Sequence, residues 1–247
     1  TALALTGVGV CLPIITVVIA FANLIGMGGA PLFSIKRGEG NEKEAEAILG
    51  NSVTLLVIFG LCLTVVGLIV KRPLLYLLGA SENTIEYANS YITIYLLGNV
   101  FVMMSLGLNS FINAQGFGKT GMFTVVIGAV LNIILDPVLM FRMGMGFIGS
   151  AVATACSNAA SVIFFLVIFY RMRNQTAMSL NIFHFSLHFV RPIFSVGLAS
   201  ALTTALANAS NMVIVKFASG YGDIPIAAYG IVKKIDLFPL GICMGLC

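Results

Sequence analysis

Charge is the scarcest property of this sequence. Only 9% of its 247 residues are Asp, Glu, Lys or Arg, against 59% hydrophobic, whereas a soluble globular domain carries about 25% charged residues. So few charges cannot cover a water-facing surface, which excludes a soluble enzyme and a disordered tail. The net charge of +4 is scattered in small clusters, so no basic face is offered to nucleic acid. A CxxC pair and any Cys–His spacing suited to a metal are missing. Cys11, Cys62, Cys156, Cys243 and Cys247 all lie in apolar runs and read as small buried hydrophobes. Thr1 is preceded by no initiator Met, no signal-peptide pattern follows it, and residues 241–247 stop inside an apolar run. The expectation is a segment of a longer membrane protein.

Nucleotide motifs fail on context. Gly144-Met-Gly146-Phe-Ile-Gly149 matches GxGxxG, but it joins two membrane-length runs rather than opening a βαβ unit. Gly118-Lys119-Thr120 matches the end of a P-loop, yet Asn113 stands where its first glycine belongs. His184 and His188 are spaced i, i+4 among Phe183, Phe185, Leu187 and Phe189, the pattern of an interfacial stretch rather than a metal pair.

What is abundant is apolar length. A helix crossing ~30 Å of hydrocarbon needs about 20 apolar residues. Seven stretches pass, over residues 2–27, 48–70, 88–112, 122–141, 147–170, 192–217 and 225–247. Period-2 alternation is absent, so these are helices and not barrel strands. The fold class is therefore an all-α integral membrane bundle of about seven transmembrane helices. Asn41 with Glu44 resembles a capping box, predicting a short surface helix before the second span. Lys and Arg favour alternate loops by seven to four: Lys36, Arg37, Lys43, Lys119, Arg171, Arg173 and Arg191 against Lys71, Arg72, Arg142 and Lys216. This places the first, third and fifth loops in the cytoplasm. Small residues recur at every fourth position in Gly149, Ala153, Ser157, Ser161 and in Gly197, Ala201, Ala205, Ala209, predicting close helix packing.

The informative residues are the polar ones inside spans. A carboxylate at mid-span costs at least ~2.5–3.5 kcal/mol on insertion scales. Asp136 lies in Asn132-Ile-Ile-Leu-Asp136-Pro137. Asn132 and Asp136 share a helix face, and Pro137 frees the carbonyl of Ile133 beside them. Converging oxygens suit Na⁺, and the same desolvated carboxylate suits a proton. The competing reading is a structural hydrogen bond or a pair with Arg142. In the last span Lys233 and Asp236 can neutralise each other, leaving Lys234 to face a cavity or the headgroups. Tyr91, Asn99, Asn109, Asn113, Thr154, Asn158, Asn208 and Asn211 add neutral polarity. Ala4-Leu-Thr-Gly7-Val8 is faintly repeated as Ala227-Ala-Tyr-Gly230-Ile231, and repeated helical bundles are usual in secondary transporters.

Several segments together resemble the multidrug and toxic compound extrusion (MATE) family. They are Leu12-Pro13-Ile14 with Gly26-Met27-Gly28-Gly29-Ala30, Leu78-Gly79-Ala80-Ser81, Gly107-Leu-Asn109-Ser-Phe-Ile-Asn113-Ala-Gln-Gly116, Asn132-Ile-Ile-Leu-Asp136-Pro137 and Gly149-Ser-Ala151-Val-Ala153-Thr154. The resemblance implies a twelve-helix, two-lobe transporter, of which this chain supplies the second to eighth helices. Residues 1–173 would form most of the N-terminal lobe, 174–191 a cytoplasmic linker, and 192–247 the start of the C-terminal lobe. It also implies secondary active efflux of small amphipathic or cationic organic compounds by antiport against H⁺ or Na⁺. The expected setting is the plasma membrane of a prokaryote, with a lipid-embedded monomer, no cofactor and no enzymatic reaction. The family's ion-coupling positions match Asp136, Asn132, Thr154, Tyr91 and Asn109, while its first-helix aspartate has no counterpart here. Met103, Met104, Asn113 and Lys234 are the substrate-cavity candidates. The rivals are a lipid-linked oligosaccharide flippase of similar architecture, with Lys233 and Lys234 as phosphate ligands, and a non-transporting membrane fragment.

Overall fold

A computed structural model describes residues 2–78, 80, 82, 84–172, 186–219 and 232. Seven α-helices and one π-helical segment follow one another: α1 (Ala2–Gly38), α2 (Glu42–Leu77), α3 (Ile85–Leu97), α4 (Asn99–Ala114), α5 (Gly118–Pro137), the π segment Val138–Arg142, α6 (Ile148–Met172) and α7 (Leu187–Ser219). No strand occurs among the described residues. The chain divides into two compact units, residues 1–201 and 202–247. In the second, only the end of α7 and Val232 are described.

Among the described residues four helices are long and apolar enough to cross a membrane, or five if the bent pair α3–α4 is one span. The expected span over 225–247 lies outside the described residues. The first two spans are longer than hydropathy suggested. α1 continues through Pro31 to Gly38, and α2 starts at Glu42, so the expected surface helix is simply the first turns of α2. Asn41 caps α2 by accepting the Glu44 N–H at 3.3 Å. Lys36 closes the corner with ion pairs of 3.0 Å to Glu39 and Glu44.

The apolar run 88–112 is not one straight helix. It breaks at Gly98, and its halves meet at 54°. One polar side chain takes up the disturbed backbone there, and a second ties the break to α2. Thr64 of α2 donates to the Leu96 carbonyl at 2.8 Å, and the Asn99 amide donates to the Gly60 carbonyl at 3.1 Å. In lipid no water does this work, so a kink survives only where neighbours supply the partners. Gly98 also lets α6 approach, since a Cβ there would sit 2.7 Å from that of Ala155.

The core has two apolar clusters. One gathers Cys11, Ala22, Ile25, Leu56, Ile92, Leu96 and Met103 from α1, α2, α3 and α4. The other sets Phe33, Leu49, Leu108, Phe111, Phe165 and Phe169 together, with the Phe33 and Phe111 rings edge to face at 5.9 Å. Backbones come close at glycines. A Cβ on Gly28 of α1 would strike the Ile193 carbonyl of α7, and one on Gly197 would strike the Leu24 carbonyl. Without a hydrophobic drive between helices in lipid, such packing supplies the association energy. The start of α7 is also tied to α2, where Ser186 N–H donates to Asn51 Oδ1 at 2.8 Å.

The cysteine expectation needs correction. Cys11 is buried, but Cys62 and Cys156 are exposed. An apolar run in a membrane helix has no reason to turn inward, because lipid is as apolar as the core. Cys243 and Cys247 lie outside the described residues.

Candidate functional site: a polar cavity between α4, α5 and α6

α5 carries the carboxylate, and it is an unusual helix. Gly121 and Thr124 are its only buried residues, while Met122, Phe123, Val125, Val126, Ile133 and Ile134 are exposed. Its remaining side turns small and polar groups toward α4 and α6. Asn109 of α4 donates to the Gly121 carbonyl at 3.0 Å and to Thr124 Oγ1 at 3.2 Å. Ser161 of α6 donates to the Thr124 carbonyl at 3.4 Å. Asn132 donates to Thr154 Oγ1 at 3.4 Å, and Thr154 donates to the Ser150 carbonyl one turn earlier.

These groups border a cavity of about 480 Å³, within the size range of small-molecule sites, roughly 300–1,000 Å³. Asn109, Asn132 and Thr154 line it, together with Asn23, Ser157 and Asn158. Among the described residues its wall holds no charged side chain.

Asp136 lies one helical turn beyond Asn132 and is not part of that wall. Its Oδ1 is buried and has no hydrogen-bond partner. The expected alternative of a pair with Arg142 is absent, since the ion pairs among the described residues are those of Lys36. Tyr91, on α3, is buried and lies within electrostatic reach of Asp136. Its ring stands 6.0 Å from that of Phe147, just before α6. A buried acceptor left unpaired is costly, and an anionic oxygen of this kind is a ligand for a hard cation or a seat for a proton.

The helix changes character directly after the carboxylate. Pro137 ends α5, and the next five residues are π-helical, with Met143 N–H donating to the Val138 carbonyl at 3.0 Å. π segments are rare and concentrate at functional sites. The turn that follows explains the GxGxxG decoy. Gly144 and Gly146 adopt φ of 66° and 56°, the left-handed region that glycine enters without penalty.

The five expected coupling residues thus fall into two neighbouring groups. Asn109, Asn132 and Thr154 share the cavity, whereas Tyr91 and Asp136 lie beside it. The substrate-cavity candidates do not join them. Met103 is fully buried in the apolar core, and Met104 packs against the phenylalanine cluster. Asn113 is exposed and donates to Asn109 Oδ1 at 3.0 Å. Lys234 lies outside the described residues, as do Lys233, Asp236 and His184. His188 stacks edge to face on Phe189 at 5.4 Å, and no group of three metal-type ligands occurs among the described residues. Asn23 and Thr124 were missed from the sequence, because a lone amide or hydroxyl in an apolar run has no partner to reveal it. Ser157 and Ser161 were read only as packing residues. Their hydroxyls at helical spacing on one face were the available signal.

Comparison with known proteins places this geometry. The sequence profile of the MatE family matches residues 1–138. The chain is 32% identical over 244 residues to the multidrug export protein MepA of Staphylococcus haemolyticus, and 30% identical over 243 residues to that of Staphylococcus saprophyticus. Each alignment covers 98% of this chain and 54% of the relative, so the chain spans about half the length of the curated relatives it matches. In fold it is similar to a crystal structure of MATE in complex with MaD3S, with a TM-score of 0.89 at 24% identity, covering 99% of this chain and 56% of that one. The family match runs over more than half of the residues, through α4 and α5, and the chain belongs to the MatE family.

Proposed function

We propose that this chain is the ion-coupling half of a secondary multidrug antiporter in the plasma membrane. The single observation behind this reading is the buried, unpartnered Asp136 Oδ1 beside a polar cavity that holds Asn132 and Thr154. Asp136 takes up H⁺ or Na⁺, with Asn132, Thr154 and Tyr91 as the neutral oxygens nearest to it, while Asn109 acts at a distance by holding α5 at Gly121 and Thr124. Occupancy at Asp136 changes the charge enclosed between α5 and α6, so it biases the bundle between inward-open and outward-open forms. An amphipathic or cationic drug preferring the opposite form is then exchanged for the ion, since a ligand shifts a two-state equilibrium only by its differential affinity. The π turn after Pro137, packed closely against Gly149 of α6, is the element through which α5 responds. The names of the MepA relatives support export of drugs as the activity.

The decisive experiment is drug efflux by the full-length protein carrying Asp136→Asn. The amide keeps the shape and removes the titratable charge. Efflux driven by an imposed H⁺ or Na⁺ gradient should fall at least ~10-fold, the effect of losing about 1.4 kcal/mol of differential ion binding. Wild-type efflux in this variant overturns the coupling role.

A further inference from the structure

A second polar pocket lies away from the coupling site, where the end of α2 faces the start of α3. Its volume is about 370 Å³, and it is lined by Arg72, Tyr76, Ile85, Glu86, Asn89 and Ser90. Three features set it apart. Arg72 and Glu86 face the same space, yet they form no ion pair and no hydrogen bond with described residues. Asn89 Oδ1 is buried without a donor. The neighbouring cation is already engaged, because Lys71 Nζ donates to Thr93 Oγ1 at 2.6 Å. The pocket therefore offers one positive group, one negative group and one orphan acceptor, which do not satisfy one another.

The approach to the pocket is apolar. Leu61, Val65 and Ile69 are all exposed, and with Arg72 and Tyr76 they follow one stripe of α2 at spacings of four, four, three and four residues. Tyr76 supplies the aromatic ring typical of the membrane–water boundary. Greasy surface leading up to a zwitterionic cup is the shape of a phospholipid whose headgroup carries both a phosphate and a primary ammonium.

We propose that this pocket binds the headgroup of a phosphatidylethanolamine-type lipid. The phosphate is held by Arg72 and the Ser90 hydroxyl, the ammonium by Glu86 and Asn89 Oδ1, and the acyl chains lie along Ile69, Val65 and Leu61. Guanidinium–phosphate and ammonium–carboxylate contacts are charge-assisted and stronger than neutral ones. The orphan acceptor explains the choice of a primary ammonium, which brings three N–H donors.

The test is lipid retention, read by native mass spectrometry on the full-length protein released from nanodiscs made of equal parts phosphatidylethanolamine and phosphatidylglycerol. Wild-type protein should retain the ethanolamine lipid in preference to the glycerol lipid. Arg72→Gln and Glu86→Gln should each reduce that retention about tenfold, the loss expected of one charge-assisted contact. Equal retention of both lipids, or loss with Arg72→Gln alone, overturns the proposal in favour of a simple anion site. Displacement by soluble phosphoethanolamine at the same concentration as the lipid overturns the lipid as the ligand. Unchanged retention in both variants overturns the pocket. Should a variant fail to fold, the lipid preference of the wild type and the soluble competition still decide.

Discussion

α4 and α5 are consecutive helices of similar composition with opposite fates. α4 buries Asn99, Val102, Met103, Gly107, Leu108, Phe111 and Ile112, and its apolar side packs into both core clusters, while its Ser105, Asn109 and Ser110 side borders the cavity. α5 buries Gly121 and Thr124, exposes its large aliphatics, and touches α4 and α6 through amides, hydroxyls and a cavity. Packed cores are dense and resist partial displacement. A helix held by a few hydrogen bonds around a cavity can exchange partners at low cost. The molecule therefore sets its carboxylate on a helix that commits few residues to the core. The π turn after Pro137 continues that same helix.

Four substitutions break or sharpen this contrast. The largest effect belongs to Phe111→Ala, which hollows the α4 side; removing a buried phenylalanine costs about 3–5 kcal/mol. Thermal unfolding in detergent should show a drop in Tm well beyond that of any α5 variant. Next comes a matched glycine pair. Gly28→Ala drives a methyl into the Ile193 carbonyl and the Gly197 backbone, 2.9 Å away at nitrogen, at an expected cost of about 1–3 kcal/mol. Gly128→Ala on α5 meets the Ser161 hydroxyl at 2.7 Å and the Ser157 carbonyl at an ordinary 3.9 Å; the hydroxyl can rotate aside at the expense of its long 3.4 Å bond to the Thr124 carbonyl, so the drop in Tm should be smaller than that of Gly28→Ala. A Gly128→Ala penalty equal to that of Gly28→Ala would show α5 to be as tightly held as α1. The smallest effect is that of Ile133→Ala. This side chain is 69% exposed, and a surface change of this kind shifts stability by about 0.5 kcal/mol or less.

Much of the architecture is legible in residue order. The lengths of the apolar runs gave the described spans, the Asn41 cap marked the start of α2, and Asn132 with Thr154 were singled out as polar residues that now prove to be hydrogen-bonded. The spacing of Asn132 and Asp136 put them on one face, but it did not separate their roles. Asn132 reaches the cavity wall, whereas the Asp136 carboxyl turns into protein. The break at Gly98 was invisible because hydropathy does not record carbonyl groups, and the hydroxyl that satisfies Leu96 comes from Thr64, 32 residues earlier. Met103 and Met104 misled for a related reason. A methionine suits a cavity and a core equally well, and only its neighbours choose between them.

The sequence alone determined that this chain lives in lipid as helices. Scarcity of charge and runs of about 20 apolar residues leave the backbone no other way to satisfy its hydrogen bonds. Tertiary structure alone decided which side of each helix faces inward. In water, hydrophobic periodicity points to the core; in a membrane both surroundings are apolar, so that signal vanishes. Orientation then rests on glycine contacts, amides and hydroxyls, whose partners lie on other helices and come into view only once the helices are assembled.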